Sequence, residues 1–167
     1  MTTIAARIKD NKIELAADSI IVRGTLRVQE GLGNSKIFDG LDCVVASTGL
    51  LSESSLFELF CRDHSIGKGN HLRVLEFLSE FSRWKENNGS DNIVDNNYII
   101  GHKSGLYRTH GLSVLKVDKY CADGHGMDYA EAGLHLGKSA KDAVQLACEL
   151  DVYTNGPVIT KKNKLGE

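Results

Sequence analysis

The chain has little of what marks several large classes of protein. Its 167 residues carry 20 Lys and Arg against 22 Asp and Glu, a formal charge of −2. No excess of positive charge is left to hold a phosphate backbone, and the densest basic run, Lys161-Lys162-Asn163-Lys164, is a short tail. Nucleic acid is therefore excluded as an expected partner. No apolar run approaches the ~18 residues of a membrane span, and the start lacks a basic region followed by a long apolar stretch. The expectation is a soluble cytoplasmic protein without membrane contact. Cys43, Cys61, Cys121 and Cys148 form no CxxC pair, and each sits in an apolar segment as buried thiols do. His64, His71, His102, His110 and His135 show no HxH or HxxxH spacing, which argues against zinc. Ser47, Ser52, Ser54 and Ser55 lack a GxSxG elbow, and Gly31-Leu32-Gly33 is not followed by a helix start that would cradle phosphate. Repeats, low-complexity tracts and linkers are absent, so the length and the 41% hydrophobic content suit one domain over residues 1–167.

What is present begins at the second residue. Once Met1 is removed, Thr2 carries a hydroxyl and a free α-amine on one carbon, so nucleophile and base are a single residue. An α-amine titrates near pH ~8, which leaves a neutral fraction able to accept the hydroxyl proton. An isolated Asp18 follows at the end of an apolar run.

Chain order runs strands, helices, strands, helices. Ile4–Ile8 and Lys12–Ala17 flank Asp10-Asn11, a pair suited to a hairpin turn. Ser19–Val28 alternates loosely, and Lys36–Phe38 with Cys43–Ala46 read as two further strands of the same antiparallel sheet. After Gly49, Ser52 caps a helix with Leu56, Leu59 and Phe60 at helical spacing, and Leu72, Leu75, Leu78, Phe81 and Trp84 mark a second helix whose end, from Lys85, is solvated. Strands are expected at Tyr98–Ile100, Leu106–Tyr107, Val114–Val117 and Tyr120–Ala122. Helices follow at Tyr129–Leu136 and Ser139–Leu150, the latter capped by Ser139, and Val158–Thr160 closes the sheet. Two β-rich stretches each feeding two helices imply an α+β protein, a four-layer αββα sandwich.

Order and motifs together resemble the proteasome-family N-terminal nucleophile (Ntn) hydrolases, and most closely the bacterial HslV-type peptidase subunit. The likeness runs from Thr2-Thr3-Ile4 through Leu56-Phe57-Glu58-Leu59-Phe60 to Tyr153-Thr154-Asn155. By position, the resemblance implies that Thr2 is the nucleophile and Asp18 the strand-end aspartate. It makes Lys36 the buried lysine and Gly49 the glycine whose N–H faces the oxyanion. Asp151 and Thr154 match the Asp-x-x-Ser spacing that braces the nucleophile. Two departures stand out: His125, in Ala122-Asp123-Gly124-His125-Gly126, replaces a serine that bonds the N-terminal amine, and two extra residues separate Asp18 from Lys36.

The implied activity is threonine endopeptidase action on polypeptides, without a cofactor for bond cleavage. The implied assembly is a homo-oligomeric double ring served by a separate ATP-driven unfoldase, since this chain has no nucleotide-binding motif; a structural monovalent or divalent ion near the C-terminal bracing loop is compatible with it. Two other readings stay open: a ring-forming subunit whose chemistry is altered or lost, favoured by His125, and a small-molecule Ntn amidase, because fold does not fix substrate.

Overall fold

A computed structural model describes residues 2–28 and 36–166. Strands β1 (Thr3–Lys9) and β2 (Lys12–Ala17) form the expected hairpin. Asp10 and Asn11 both take positive φ, 51° and 56°, the requirement of a two-residue turn whose twist matches that of the strands it joins. β3 (Ile21–Arg23) and β4 (Leu26–Val28) make a separate two-stranded ribbon, while Gly31 and Gly33 lie outside the described residues.

β5 (Ile37–Asp39) and β6 (Cys43–Thr48) do not join the first hairpin, as their sequence suggested, but open a second sheet. Their neighbours are β7 (Asn97–His102), β8 (Gly105–His110) and β9 (Ser113–Val117), in the order β5-β6-β7-β8-β9. β10 (Tyr120–Gly124) returns to pair with β1, and β11 (Ile159–Lys164) pairs with β2, which gives a four-stranded sheet β10-β1-β2-β11. Adjacent hydrophobic strands along the chain could not reveal this split, because strand patterning specifies which face is buried and not which strand is the neighbour.

The central strands of both sheets are apolar on both faces. Along β1, Ile4 and Ala6 pack into the space between the sheets with Leu15, Ile37, Val44 and Ile99, whereas Ala5 points the other way. Along β6, Val44 and Ala46 enter the same central layer, while Val45 faces a cluster of Phe57, Phe60, Phe77 and Phe81. Those rings come from α1 (Leu51–Asp63) and α2 (His71–Asn87). On the opposite outer face α3 (Met127–His135) and α4 (Ala140–Leu150) lie on Ala5, Ala16 and Ala122 through Ala130, Ala140, Ala143 and Ala147. Small side chains fill the contact on this face, and large rings fill the one on the other side. The four layers are therefore helix, sheet, sheet, helix.

Helix ends differ from the sequence reading in two places. Ser139 caps α4, its Oγ accepting the Asp142 N–H at 3.0 Å, as expected. Ser52, however, lies inside α1; Leu50 occupies the cap position and has no side chain for the task. The side chain of Asn96, arriving from the turn before β7, accepts the Leu50 N–H at 2.6 Å instead. The apolar stripe of α1 is also rotated, with Phe57, Phe60 and Cys61 buried while Leu59 stays exposed. Lys85 is the larger surprise: expected in water, it is buried and bonded to Glu53. Cys43, Cys61 and Cys121 are buried free thiols; Cys148 is only half-buried. Among the described residues, no helix is long and apolar enough to cross a membrane.

Candidate active site

Three strand ends of one sheet meet at Thr2. The pairing of β1 with β2 brings Asp18 beside Thr3, whose carbonyl accepts the Asp18 N–H at 3.0 Å and whose N–H donates to Asp18 Oδ1 at 2.7 Å. On the other side of β1, the end of β10 places Gly124 opposite Thr3, and the His125 N–H donates to the Thr2 carbonyl at 2.8 Å. Gly124 is required by this approach: its φ is +94°, and a Cβ there would lie 1.9 Å from the Thr2 carbonyl oxygen. Thr2 is thus held through its own carbonyl on one side and through Thr3 on the other, and is buried.

Asp18 and Lys36 form a buried ion pair, Nζ to Oδ1 2.9 Å, with the Asp18 side chain fully enclosed and that of Lys36 9% exposed. Burial raises the Asp18 pKa despite the Lys36 charge and the N–H groups of Thr3 and Ile20, and it lowers the Lys36 pKa despite Asp18. Both directions follow from loss of water around the charged forms. At 2.9 Å each charge offsets part of the other's burial cost.

Thr2 and Lys36 open onto one cleft of ≈ 200 Å³, walled also by Ile20, Gly49 and Leu51 and including Ser47 and Ser54, whose hydroxyls meet at 2.6 Å. Gly49 follows β6 with φ +121°, a conformation that side-chain-bearing residues rarely adopt. The Leu50 N–H is occupied by Asn96, while among the described residues the Gly49 N–H makes no hydrogen bond to protein. Of the two successive N–H groups at this turn, Gly49 is thus the one left for a ligand.

Asp151 and Thr154 are brought together, though not on a helical turn: Asp151 is the C-cap of α4 and Thr154 lies beyond it. Thr154 Oγ1 donates to Asp151 Oδ2 at 2.5 Å, so it must accept the 2.6 Å bond from Thr3 Oγ1, which in turn accepts the Gly126 N–H at 2.9 Å. The result is one directed chain from Gly126 through Thr3 and Thr154 to Asp151. Burial pushes the Asp151 carboxyl up, but hydrogen bonds from Thr154 and the Tyr153 N–H, together with His125, hold it below the ordinary carboxylate range.

His125 reaches this chain from the other side. Its Nδ1 lies 2.9 Å from Asp151 Oδ1, so Nδ1 carries the hydrogen, and its ring meets that of Tyr153 edge-on at 4.6 Å. The side chain is 46% exposed.

All seven residues singled out in the sequence thus lie at the cleft of Thr2 or are linked to Thr2 and Thr3 through short hydrogen-bonded chains. Missed were Thr3, which joins the bracing residues to β1, and the set of Ser47, Ser54 and Asn96 along one wall of the cleft. Thr3 is adjacent to the proposed nucleophile, and strand alternation alone would have aimed it away from Thr2. For Asn96, within the polar run Asp95-Asn96-Asn97, no sequence signal separates a wall residue from a loop residue.

Two antiparallel sheets packed face to face, covered by a helical pair on each outer side, with Thr2 at the tip of a central strand, define the proteasome-like Ntn αββα fold. Solved structures with this arrangement include Thiobacillus denitrificans BPH in complex with epoxomicin, at TM-score 0.86 and 20% identity over 99% of this chain and 100% of that one. The same protein in a second structure gives 0.85 and 20%, covering 98% of each chain, and eukaryotic HslV from Trypanosoma brucei gives 0.73 and 18%, covering 97% of this chain and 99% of that one. Likeness at such identities establishes the fold. No family model and no curated protein matches the sequence.

Proposed function

We propose that this chain is a threonine-type peptidase subunit, with Thr2 as nucleophile once its amine is freed by removal of Met1. The observation that carries the reading is the convergence of Thr2, Lys36 and Gly49 on one cleft, with Lys36 held by the enclosed carboxylate of Asp18. A lysine ammonium close to the N-terminus favours the neutral amine, which can then act as base.

In the proposed reaction the Thr2 Oγ attacks the scissile carbonyl carbon as its proton passes to the α-amine. The oxyanion forms against the Gly49 N–H, where a fixed donor is worth several kcal/mol in acyl transfer. Collapse breaks the C–N bond, the leaving amine takes the proton, and an ester to Thr2 remains. Water attacks that ester, delivering its proton through the same amine to Thr2 Oγ, and the acid product departs. The chain Gly126, Thr3, Thr154, Asp151 holds β1 at its tip and keeps Thr2 in register.

Assembly into a double ring of identical subunits, fed with unfolded polypeptide by a separate ATP-driven unfoldase, belongs to the same proposal. It is supported by the likeness to an HslV structure over almost the whole chain. Binding of epoxomicin in the Thr2 cleft is a further expectation, because a structural neighbour holds that compound.

A second reading, an altered or inactive subunit, draws on one observation: the His125 imidazole is engaged with Asp151. Intact mass and a fluorogenic peptide assay separate the two. Peptidase action requires loss of Met1, residual turnover in Thr2→Ser and none in Thr2→Ala; equal activity in all three proteins would remove Thr2 from the mechanism.

A further inference from the structure

A second buried ion pair stands behind the wall of the cleft. Lys85 Nζ and Glu53 Oε2 are 2.8 Å apart, with side chains 3% and 5% exposed. Lys85 also donates to the Ile93 carbonyl, at 2.5 Å, and lies 3.2 Å from Asp91. The Glu53 carboxylate accepts from four donors: Lys85, the Asp95 N–H at 3.2 Å, the Asn96 N–H at 2.9 Å and the Tyr98 hydroxyl at 2.9 Å. Burial of a carboxylate is costly, and four donors are what make it tolerable here. The effect is to fix the backbone of residues 95 and 96.

What that backbone carries is the Asn96 side chain. Its Oδ1 accepts the Leu50 N–H at 2.6 Å and its Nδ2 donates to the Leu50 carbonyl at 2.8 Å, so one side-chain amide pairs with both polar groups of Leu50. Nδ2 also donates to Ser54 Oγ at 3.1 Å. Gly49 packs directly on this amide: a Cβ at position 49 would lie 2.1 Å from Asn96 Oδ1.

We infer that Asn96, anchored through Glu53 and Lys85, is a positioning residue that fixes the Gly49-Leu50 backbone and so the bearing of the Gly49 N–H toward the carbonyl attacked by Thr2. The inference rests on the peptidase reading above. Asn96 touches neither substrate nor nucleophile; it acts by occupying the Leu50 N–H and leaving the Gly49 N–H as the single donor held in place. An oxyanion donor is worth about 10²–10³ in kcat, and misplacement by about 1 Å costs up to about 10².

The test uses the full chain in its native assembly, with a fluorogenic peptide, comparing wild type, Asn96→Ala and Glu53→Gln. Expected for Asn96→Ala is a fall in kcat of roughly 10–100-fold with KM within about threefold. Hydrogen exchange should show loss of protection at the Leu50 amide while the Thr3 amide, bonded to Asp18, stays protected. Glu53→Gln keeps the shape of the site, should reproduce the pattern at smaller amplitude, and carries the test if Asn96→Ala does not fold. An unchanged kcat alongside a deprotected Leu50 amide would overturn the inference while leaving the peptidase reading intact. So would a parallel loss in kcat, KM and Thr3 protection, which marks general loosening. A wild-type chain without Thr2-dependent cleavage would overturn both.

Discussion

The Lys36→Met substitution separates what the buried ion pair does for folding from what it does for chemistry. Asp18 is fully enclosed, and its Oδ1 accepts from both Lys36 Nζ and the Thr3 N–H. The raised Asp18 pKa means that its contribution to stability is complete below the ordinary carboxylate value and lost as pH rises through the folded one. The lowered Lys36 pKa means that its contribution is complete above the ordinary lysine value and lost as pH falls through the folded one. Between these limits the burial cost of each charge is offset by the partner's charge and, for Asp18, also by the N–H groups of Thr3 and Ile20. Removing the lysine leaves a buried carboxylate facing two N–H groups, a change that costs about 3–5 kcal/mol, or roughly 6–20 °C in Tm for a domain of this size. The double substitution Asp18→Asn with Lys36→Met removes both charges, retains an acceptor for the Thr3 N–H and gives up the weaker bond from Ile20, so it should lie within about 2 kcal/mol of wild type. Chemical denaturation at pH 7 measures the cycle. Lys36→Met alone should also gain stability relative to wild type as pH is lowered from 8 to 5, because Asp18 then protonates. Peptide turnover should be lost in both variants, including the stable double one. A single variant as stable as wild type, or a double variant destabilised by more than the single, would refute the reasoning.

Two further substitutions probe the backbone and the bracing carboxylate. Gly124→Ala places a Cβ 1.9 Å from the Thr2 carbonyl oxygen at φ +94°, and backbone cannot move aside as a side chain would; it should cost at least about 3 kcal/mol in denaturation and abolish cleavage. Asp151 has a depressed pKa, so the stability it contributes is present above the ordinary carboxylate value and is lost as pH falls through the folded one. Wild type should therefore lose Tm below about pH 4, and Asp151→Asn should show a shallower acid limb over the same range; identical limbs would mean that the carboxylate gains nothing from Thr154 and His125.

How legible each part was depends on whether local pattern or remote pairing decides it. The hairpin at Asp10-Asn11 and the Ser139 cap are local, and they occur where turn and cap chemistry put them. Assignment of β5 and β6 to the second sheet was not legible, because Val44, Val45 and Ala46 are apolar on both faces and carry no mark of their neighbours. Lys85 illustrates the limit best. At the end of an amphipathic helix a lysine reads as solvated, and only the fold brings it to Glu53, 32 positions earlier. In the same way a polar run before β7 gives no hint that Asn96 caps α1 from outside, which is why Ser52 looked like the cap. Thr2, Asp18, Lys36 and Gly49 were legible as a set only through the family resemblance, and the meeting of Thr2, Lys36 and Gly49 in one cleft, with Asp18 bonded to Lys36, required the fold.

Much of the clamp around Thr2 is made by backbone, which asks little of the side chains there. The Thr2 carbonyl is held by a main-chain N–H, the Thr3 carbonyl by another, and Gly124 contributes by lacking a side chain. Position 125 answers two separate demands. Its N–H must reach the Thr2 carbonyl, which the strand dictates for any residue there, while its side chain is free to differ. In this chain the imidazole turns to Asp151 Oδ1, leaving Oδ2 to Thr154 and so to Thr3. The histidine side chain therefore leaves the strand-end scaffold standing.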